Sequence, residues 1–383
     1  MNNYLLGLAM LVPCVVWFYP GPPWDLFAFW KAKLIVSVGI CACPFIPKPA
    51  GWAFAFSYMF LLMGFDKDLL WGSPRQYDGL LVWLSYLSIF CLALNNKKQS
   101  TIIMDCLLVS VGLVCLVGLL QVCGFDPIDW IFYQGRYVRS SITSTLYNEN
   151  FVGHFGGMLC PFFAVFALKG KNLKTKLQGT VLFLVVLITT VLAESLLGLI
   201  TVISVTALLV IMTLKSSRMV LALLAIAIIA VITLSLLEAN KRKWSSLNKR
   251  SHLWTYIAKD AEFFGHGPGQ LAERWNKTAP IHHQIKHFKN LTFPDRAHSL
   301  YLGIAHSFGW CGLALYLVFV LEYLFRGLRM AVWRSRAPIY FAVWSLVLGY
   351  HIAGLVNDSG VFHSTILWGM WGLGYFIPVE KRL

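Results

Sequence analysis

An arginine and a histidine stand two residues apart in the segment Pro294-Asp295-Arg296-Ala297-His298, directly before an apolar run. A guanidinium can hold two oxygens of a diphosphate in a planar fork, and an imidazole can accept a proton near neutral pH. The two groups together suit transfer from a phosphate-linked donor. The residues alone give equal weight to a structural alternative, in which Arg296 reaches lipid headgroups and His298 caps a helix.

A second basic segment, which contains Arg250, lies upstream. Leu253, Trp254, Ile257 and Ala258 fall on one face at helical spacing, which predicts a short amphipathic helix. We expect it to end at the glycine-rich residues 265–269. Those glycines follow no strand and lack dinucleotide-binding spacing, so they favour a tight surface turn over a phosphate cradle.

The chain around these motifs has the composition of a membrane protein. Of its 383 residues, 58% are hydrophobic and only 13% are charged, and the mean hydropathy is +0.66. This excludes disorder and a disulfide-stapled secreted domain, and the dispersed basic residues argue against nucleic-acid binding. A spanning helix needs roughly 20 apolar residues. Twelve such runs occur, approximately at 4–19, 33–47, 50–65, 78–95, 101–124, 148–168, 177–193, 195–214, 218–238, 298–324, 338–356 and 361–379.

The placement of lysine and arginine predicts the orientation of these spans. With both termini in the cytoplasm, fifteen basic residues fall on inner segments, as the positive-inside rule requires. The boundary between the seventh and eighth spans is weak, and one long tilted helix over 177–214 would invert everything downstream. Short outer loops hold six basic residues: Lys31, Lys33, Lys67, Arg75, Arg136 and Arg139.

The eleven remaining basic residues lie in one outer segment. We therefore expect an all-α integral membrane protein with about 12 transmembrane helices and one large outer loop. Its parts are helices 1–9 in residues 1–238, the loop in residues 239–297, and helices 10–12 in residues 298–383. The first span lacks the features of a cleavable signal, so we expect it to be retained.

The sequence also contains candidates for a metal site and for a transport pathway. Asp260 with Glu262, and His283 with His287, are the candidate metal ligands. Two residues apart on a helix the carboxylates point in different directions, and the histidine pair lacks a nearby third ligand. We expect no metal and no cofactor. Polar residues in or beside spans would suit a transporter of lipid-linked glycan, although such residues commonly reach water or a basic partner: Asp105, Glu194, His154, His306, Glu322, His351, Asp358 and Ser359.

Three motifs, taken in order, resemble those of the bacterial O-antigen ligases. His298-Ser299 is followed after nine residues by Gly309 and then Gly312, which is similar to the histidine motif that closes the family's large periplasmic loop. Arg250, Trp254, Ala258 and the glycines of 265–269 resemble the segment that opens it. Residues 143–151 resemble the family's Asn-x-Asn element. The resemblance covers roughly residues 140–325.

The resemblance implies a membrane glycosyltransferase of the O-antigen ligase and polymerase superfamily, with a GT-C-like fold, in the bacterial inner membrane. Its members take a glycan from undecaprenyl diphosphate on the periplasmic face, among membrane lipids. The acceptor is a lipid A-core sugar in ligases, another lipid-linked glycan in polymerases, and a protein hydroxyl in O-oligosaccharyltransferases.

The resemblance also assigns roles to residues. His298 matches the family's essential histidine and Arg250 the loop arginine thought to bind diphosphate, so we expect His298 to be the base and Arg250 and Arg296 to be the clamps. The family arginine that follows a serine is replaced here by Leu196 after Ser195. The remaining candidates for substrate binding are Arg136, Arg139, Asn148, Asn150, Trp254 and His252.

Overall fold

The computed structural model describes residues 1–15, 23–48, 50–64, 67–72, 77–96, 101–133, 142–146, 148–213, 241–279, 294, 296–333, 338–358 and 360–375. Within these ranges every regular element is a helix. The α-helices in chain order are α1 Asn2–Leu11, α2 Pro23–Ala42, α3 Ala50–Gly64, α4 Lys67–Trp71, α5 Leu80–Leu94, α6 Thr101–Val122, α7 Pro127–Tyr133, α8 Glu149–Lys169, α9 Leu173–Leu192, α10 Leu196–Thr213, α11 Lys241–Asp260, α12 Leu271–Thr278, α13 Leu300–Trp333, α14 Pro338–Ala353 and α15 Val361–Tyr375.

Among the described residues, six helices are long and apolar enough to cross a bilayer. Two shorter apolar helices are Leu80–Leu94 and Pro338–Ala353. The prediction of an all-α, multi-pass membrane protein is confirmed. The ninth predicted span, 218–238, lies outside the described residues. The six spans are Ala28–Phe45, Thr101–Val122, Glu149–Lys169, Leu173–Leu192, Leu196–Thr213 and Leu300–Arg329.

The second helix begins ten residues earlier than expected. The sequence places its start at residue 33, yet α2 begins at Pro23 and contains Lys31. Lys31 is fully buried, donates a hydrogen bond to the carbonyl of Thr145 and lies 4.8 Å from the centre of the Phe362 ring. The assignment of Lys31 to a short outer loop was wrong, because a lysine with such partners can be accommodated inside a helix bundle.

The weak boundary near residue 194 is a reversal between two helices. α9 ends at Leu192 and α10 begins at Leu196, with Glu194 in a left-handed conformation at φ 52°. A Cβ added at Gly198 would lie 2.5 Å from the carbonyl oxygen of Gly153. Only a glycine permits this approach, so the turn sits tightly against the start of α8.

The centre of the bundle is α8, which is buried from Phe151 to Val165. Gly153 faces α10, Gly156 faces Thr190 on α9, and Gly157 faces Thr201 on α10. Small residues let membrane helices approach closely. The glycines of 153–157 therefore allow α8 to pack closely against α9 and α10.

Helix α13 is broken at Gly309, whose φ of 77° and ψ of 174° are not helical. Backbone hydrogen bonds to the loop after α11 replace the helical hydrogen bonds that are lost at the break. Trp310 N–H donates to Glu262 O at 3.2 Å, and Cys311 N–H donates to Phe263 O at 3.1 Å. In the other direction, His266 N–H donates to His306 O at 2.9 Å. Backbone groups in an apolar environment need such partners.

This pairing explains a difference from the sequence prediction. The amphipathic helix α11 runs from Lys241 to Asp260 and ends five residues before the expected stop at Gly265. Residues 262–267 form backbone hydrogen bonds with residues 306–311 across the break in α13 instead of continuing the helix. The start of α13 and the large loop are thereby held together.

Candidate active site

His298 is held in an unusual backbone conformation by Asp358. Its φ is 51°, in the left-handed region that costs energy for a residue other than glycine. Its backbone N–H donates to Asp358 Oδ2 at 2.7 Å, and its Nδ1 lies 3.6 Å from the same oxygen. The imidazole is 39% exposed and the carboxylate 14%. Asp358 therefore fixes both the backbone and the ring of His298.

The pairing assigns the two ring nitrogens. With Nδ1 facing a carboxylate, Nε2 is the nitrogen directed away from it and is the one placed for proton transfer. The negative charge of Asp358 would stabilise the imidazolium that forms when Nε2 accepts a proton. The arrangement can serve as a general base.

Arg250 reaches the same connection between α14 and α15. Its Nη1 donates to Val356 O at 2.7 Å and lies 3.4 Å from Asn357 Oδ1. Burial lowers the pKa of Arg250, and the nearby carboxylates of Asp358 and Glu149 raise it. These contacts use one of the three guanidinium nitrogens, so Arg250 can anchor α11 and still offer N–H donors to an anion.

Arg296 lies in the histidine segment itself, two residues before His298. Its guanidinium carbon is 4.7 Å from the centre of the Phe151 ring, a cation–π contact with the first turn of α8. Arg296 and Asp358 line a groove with a volume of about 70 Å³. The site therefore has two arginines and an aspartate-supported histidine at one end of the bundle.

The two asparagines of the Asn-x-Asn element have structural positions. Asn148 caps the N-terminus of α8, where its Oδ1 accepts from Asn150 N–H at 2.8 Å. The carbonyl of Asn150 is 3.4 Å from Asn357 Nδ2. These residues join α8 to the connection that holds Asp358, and their predicted role in substrate binding stays a prediction.

Trp254 positions the segment that carries the candidate base. Its Nε1 donates to Ala297 O at 2.9 Å, between Arg296 and His298. His252 follows Arg250 by two residues, so the two side chains leave α11 in different directions. His252 does not line the groove.

Several sequence candidates cannot be placed. Arg136, Arg139, His283 and His287 lie outside the described residues. Leu196 occupies the position that carries an arginine in the family, and it begins α10. The preceding Ser195 is buried against Gly153. Arg296 remains the substitute with a described position beside α8.

Sequence reasoning missed the roles of three residues. Asp358 and Asn357 follow α14, and Glu149 begins α8. Asp358 was considered only as a polar residue beside a span. Its position at the same predicted outer end as His298, just before the last span, was the signal that could have paired the two.

A second polar cluster lies farther along α13. Asp260, His266 and His306 bring one possible ligand atom each within 4.8 Å of one another. This grouping differs from the two pairs considered in the sequence, Asp260 with Glu262 and His283 with His287, and from the expectation of no metal. It does not include His298 or the two arginines.

Comparison with known proteins supports the resemblance of the motifs. No curated protein matches the chain. Residues 181–317 match a family described as O-antigen ligase. This stretch runs from α9 into α13 and contains Arg250, Arg296, His298 and Gly309, whereas Asp358 lies beyond it. Residues 181–317 therefore form a region similar to the O-antigen ligase family, which supports the O-antigen ligase and polymerase superfamily.

Proposed function

We propose that this protein is a glycosyltransferase that moves an O-antigen-type glycan from undecaprenyl diphosphate to a lipid A-core sugar. The observation that carries the proposal is the pairing of His298 with Asp358 beside Arg250 and Arg296, inside and next to the O-antigen ligase match. The site would face the periplasm from the inner membrane. The match to the family supports the class of enzyme, and the geometry supports the assignment of roles.

The reaction needs a base and a cationic clamp. The acceptor hydroxyl oxygen attacks the anomeric carbon and forms the new glycosidic bond, while the bond from that carbon to the phosphate oxygen breaks. Undecaprenyl diphosphate leaves with the bonding electrons, and His298 Nε2 takes the hydroxyl proton. A single displacement of this kind inverts the anomeric configuration.

The two arginines would act on the leaving group. Charge develops on the diphosphate oxygens as the bond breaks, and preorganised cations stabilise that charge without reorganisation. Arg296 is held by Phe151 and Arg250 by the α14–α15 connection, so both guanidinium groups are positioned before the donor binds. The proposed step uses no metal ion and no cofactor.

The choice of acceptor is a separate part of the proposal. Ligase is preferred because the arginine segment, the large loop and the terminal histidine occur in the order found in ligases. A polymerase would use the same donor and the same base with a second lipid-linked glycan as acceptor, and a protein O-oligosaccharyltransferase would use a protein hydroxyl.

Reconstitution separates transfer from transport. Proteoliposomes containing the purified chain, a labelled undecaprenyl-diphosphate glycan and lipid A-core should yield label covalently attached to lipid A-core. Replacing the acceptor with excess lipid-linked glycan tests polymerisation. Label that crosses the bilayer without becoming attached to any acceptor would contradict the proposed enzyme and favour a transporter.

A further inference from the structure

Asp260, His266 and His306 form a compact polar cluster where the large loop meets α13. Their side chains are 10%, 8% and 2% exposed, respectively. Asp260 ends α11, His266 lies in the glycine-rich turn, and His306 precedes the break at Gly309. Three separate elements therefore contribute one side chain each to the same buried point.

The distances in this cluster are those of atoms that share a metal ion. Asp260 Oδ2 lies 3.4 Å from His266 Nε2 and 3.5 Å from His306 Nε2. Both distances are long for a hydrogen bond with a charged partner. His266 Nε2 also lies 2.7 Å from the backbone carbonyl oxygen of Asp260, a hydrogen bond that metal binding would replace. Ligand atoms on a tetrahedral zinc ion, each about 2.0–2.1 Å from the metal, lie roughly 3.3 Å apart. The two distances from Asp260 Oδ2 are close to that spacing, and the three ligand atoms all lie within 4.8 Å of one another.

The environment of the His306 side chain also favours a bound metal ion. Its Nε2 is buried and has no hydrogen-bond partner among the described residues, which is costly for a polar atom. Coordination of a cation would satisfy this nitrogen and the neighbouring Oδ2 of Asp260 together.

The surrounding groups would orient the ligands. Arg274 Nη2 donates to the other carboxylate oxygen, Asp260 Oδ1, at 3.1 Å, and its Nε makes a longer contact of 3.5 Å with Oδ2, the oxygen that faces the two histidines. Glu262 Oε1 is 3.9 Å from His266 Nδ1, on the opposite edge of the imidazole from Nε2. Metal-bound histidines commonly have a carboxylate on that edge of the ring.

We propose that Asp260, His266 and His306 bind a divalent transition-metal ion, for which zinc fits best. Two imidazoles and one carboxylate are typical zinc ligands, with water in the fourth position. The ion would clamp residues 260–266 onto α13 next to its break, where the backbone of His266 already bonds to His306. None of the three ligands is the proposed base or a proposed diphosphate clamp, although His306 lines the same groove as Arg296, and zinc binding can be tested whether or not the proposed reaction is correct.

Metal analysis of the purified full chain tests the site. We expect one zinc ion per chain by mass spectrometry, its removal by a chelator with a lower unfolding temperature, and recovery of that temperature when zinc is added. His306→Gln should weaken zinc binding at least about 100-fold, because loss of a supporting group alone costs 10–100-fold. His306→Cys, which supplies a thiolate ligand, should bind zinc more tightly than His306→Gln.

A matched control uses histidines outside the cluster. The double variant His283→Gln/His287→Gln should keep the zinc content of the wild type. The proposal is overturned if the wild-type chain neither retains nor takes up zinc, or if His306→Gln and His266→Gln bind it as tightly as the wild type. If His306→Gln fails to fold, the wild-type chain alone tests the proposal. An unfolding temperature that neither falls with chelator nor recovers with added zinc would then overturn it.

Discussion

At the scale of single residues, Asp358 determines what His298 can do. One carboxylate oxygen accepts the backbone N–H of His298 at 2.7 Å and faces its Nδ1 at 3.6 Å. The first contact stabilises a left-handed residue, and the second places the carboxylate beside Nδ1, so that Nε2 would be the nitrogen used by the proposed base. The aspartate is 60 residues from the histidine along the chain.

Substitution of Asp358 separates these two effects. Asp358→Asn keeps an oxygen that can accept the backbone N–H but removes the charge that stabilises the imidazolium. We expect the rate of glycan transfer to fall by about 10²-fold or more, within the range for loss of general-base support, with the unfolding temperature little changed. Asp105→Asn, at an exposed acid on α6, is the control. Equal transfer rates for Asp358→Asn and Asp105→Asn would show that Asp358 does not support His298 in the reaction.

Arg296 offers a second prediction at this scale. Arg296→Lys keeps the positive charge but loses the planar fork and the stacking on Phe151. We expect the KM for the lipid-linked donor to rise roughly tenfold, the effect of losing about 1.4 kcal/mol of binding, with a smaller rise for Phe151→Leu. Steady-state kinetics at varied donor concentration measure this. An unchanged KM in both variants would mean that Arg296 does not bind the diphosphate.

At the scale of elements, the break in α13 joins the loop to the site. Four backbone hydrogen bonds connect residues 262–267 with residues 306–311. Trp254 adds a bond to Ala297, just before α13 begins. The position of His298 therefore depends on how the loop packs against this helix.

Gly309→Ala tests the importance of the break. The alanine would have to adopt a φ of 77°, at a cost of roughly 1–3 kcal/mol, and its Cβ would collide with the carbonyl of Phe263. We expect a lower unfolding temperature and reduced transfer.

The control for this variant is Gly112→Ala on α6. A Cβ there meets nothing within 4 Å, and alanine stabilises a helix interior by about 0.5–1 kcal/mol relative to glycine. Unfolding temperatures of the two variants should therefore move in opposite directions. If Gly309→Ala is as stable as Gly112→Ala, the loop is not held by the break.

The elements also show what the sequence could and could not predict. Hydropathy located α3, α6, α8 and α9 to within a few residues, because lipid requires long apolar runs between polar turns. It misplaced the start of α2, since Lys31 is satisfied by the distant Thr145 and Phe362. Contacts between residues that are distant in sequence also limited the prediction of the site. Arg250 and His298 belong to recognisable motifs, whereas the role of Asp358 depends on the packing of α14 and α15 against α13.

At the scale of the whole molecule, the fold separates two ends of the bundle. α8 begins beside the site and ends at Lys169, about 30 Å away for a helix of 21 residues. The sequence assigns the far end to the cytoplasm through the basic residues that follow Lys169. The large loop and the candidate active site would then lie outside.

Cysteine labelling tests this orientation. In a background with the exposed Cys41 and Cys123 changed to serine, we compare Lys171→Cys, in the turn after α8, with Glu262→Cys, in the large loop. A membrane-impermeant maleimide should label only Glu262→Cys in cells with a permeabilised outer membrane, and Lys171→Cys only after the inner membrane is lysed. The reverse pattern would place the site in the cytoplasm.

The central claim is that His298 acts as the base in glycan transfer, and His298→Gln tests it most directly. Glutamine keeps hydrogen-bonding capacity but cannot accept the proton. Donor affinity and single-turnover transfer are measured in the same proteoliposomes. We expect unchanged donor binding with transfer slowed at least about 10²-fold, the usual contribution of a general base. Transfer at the wild-type rate by a folded His298→Gln protein would contradict the account.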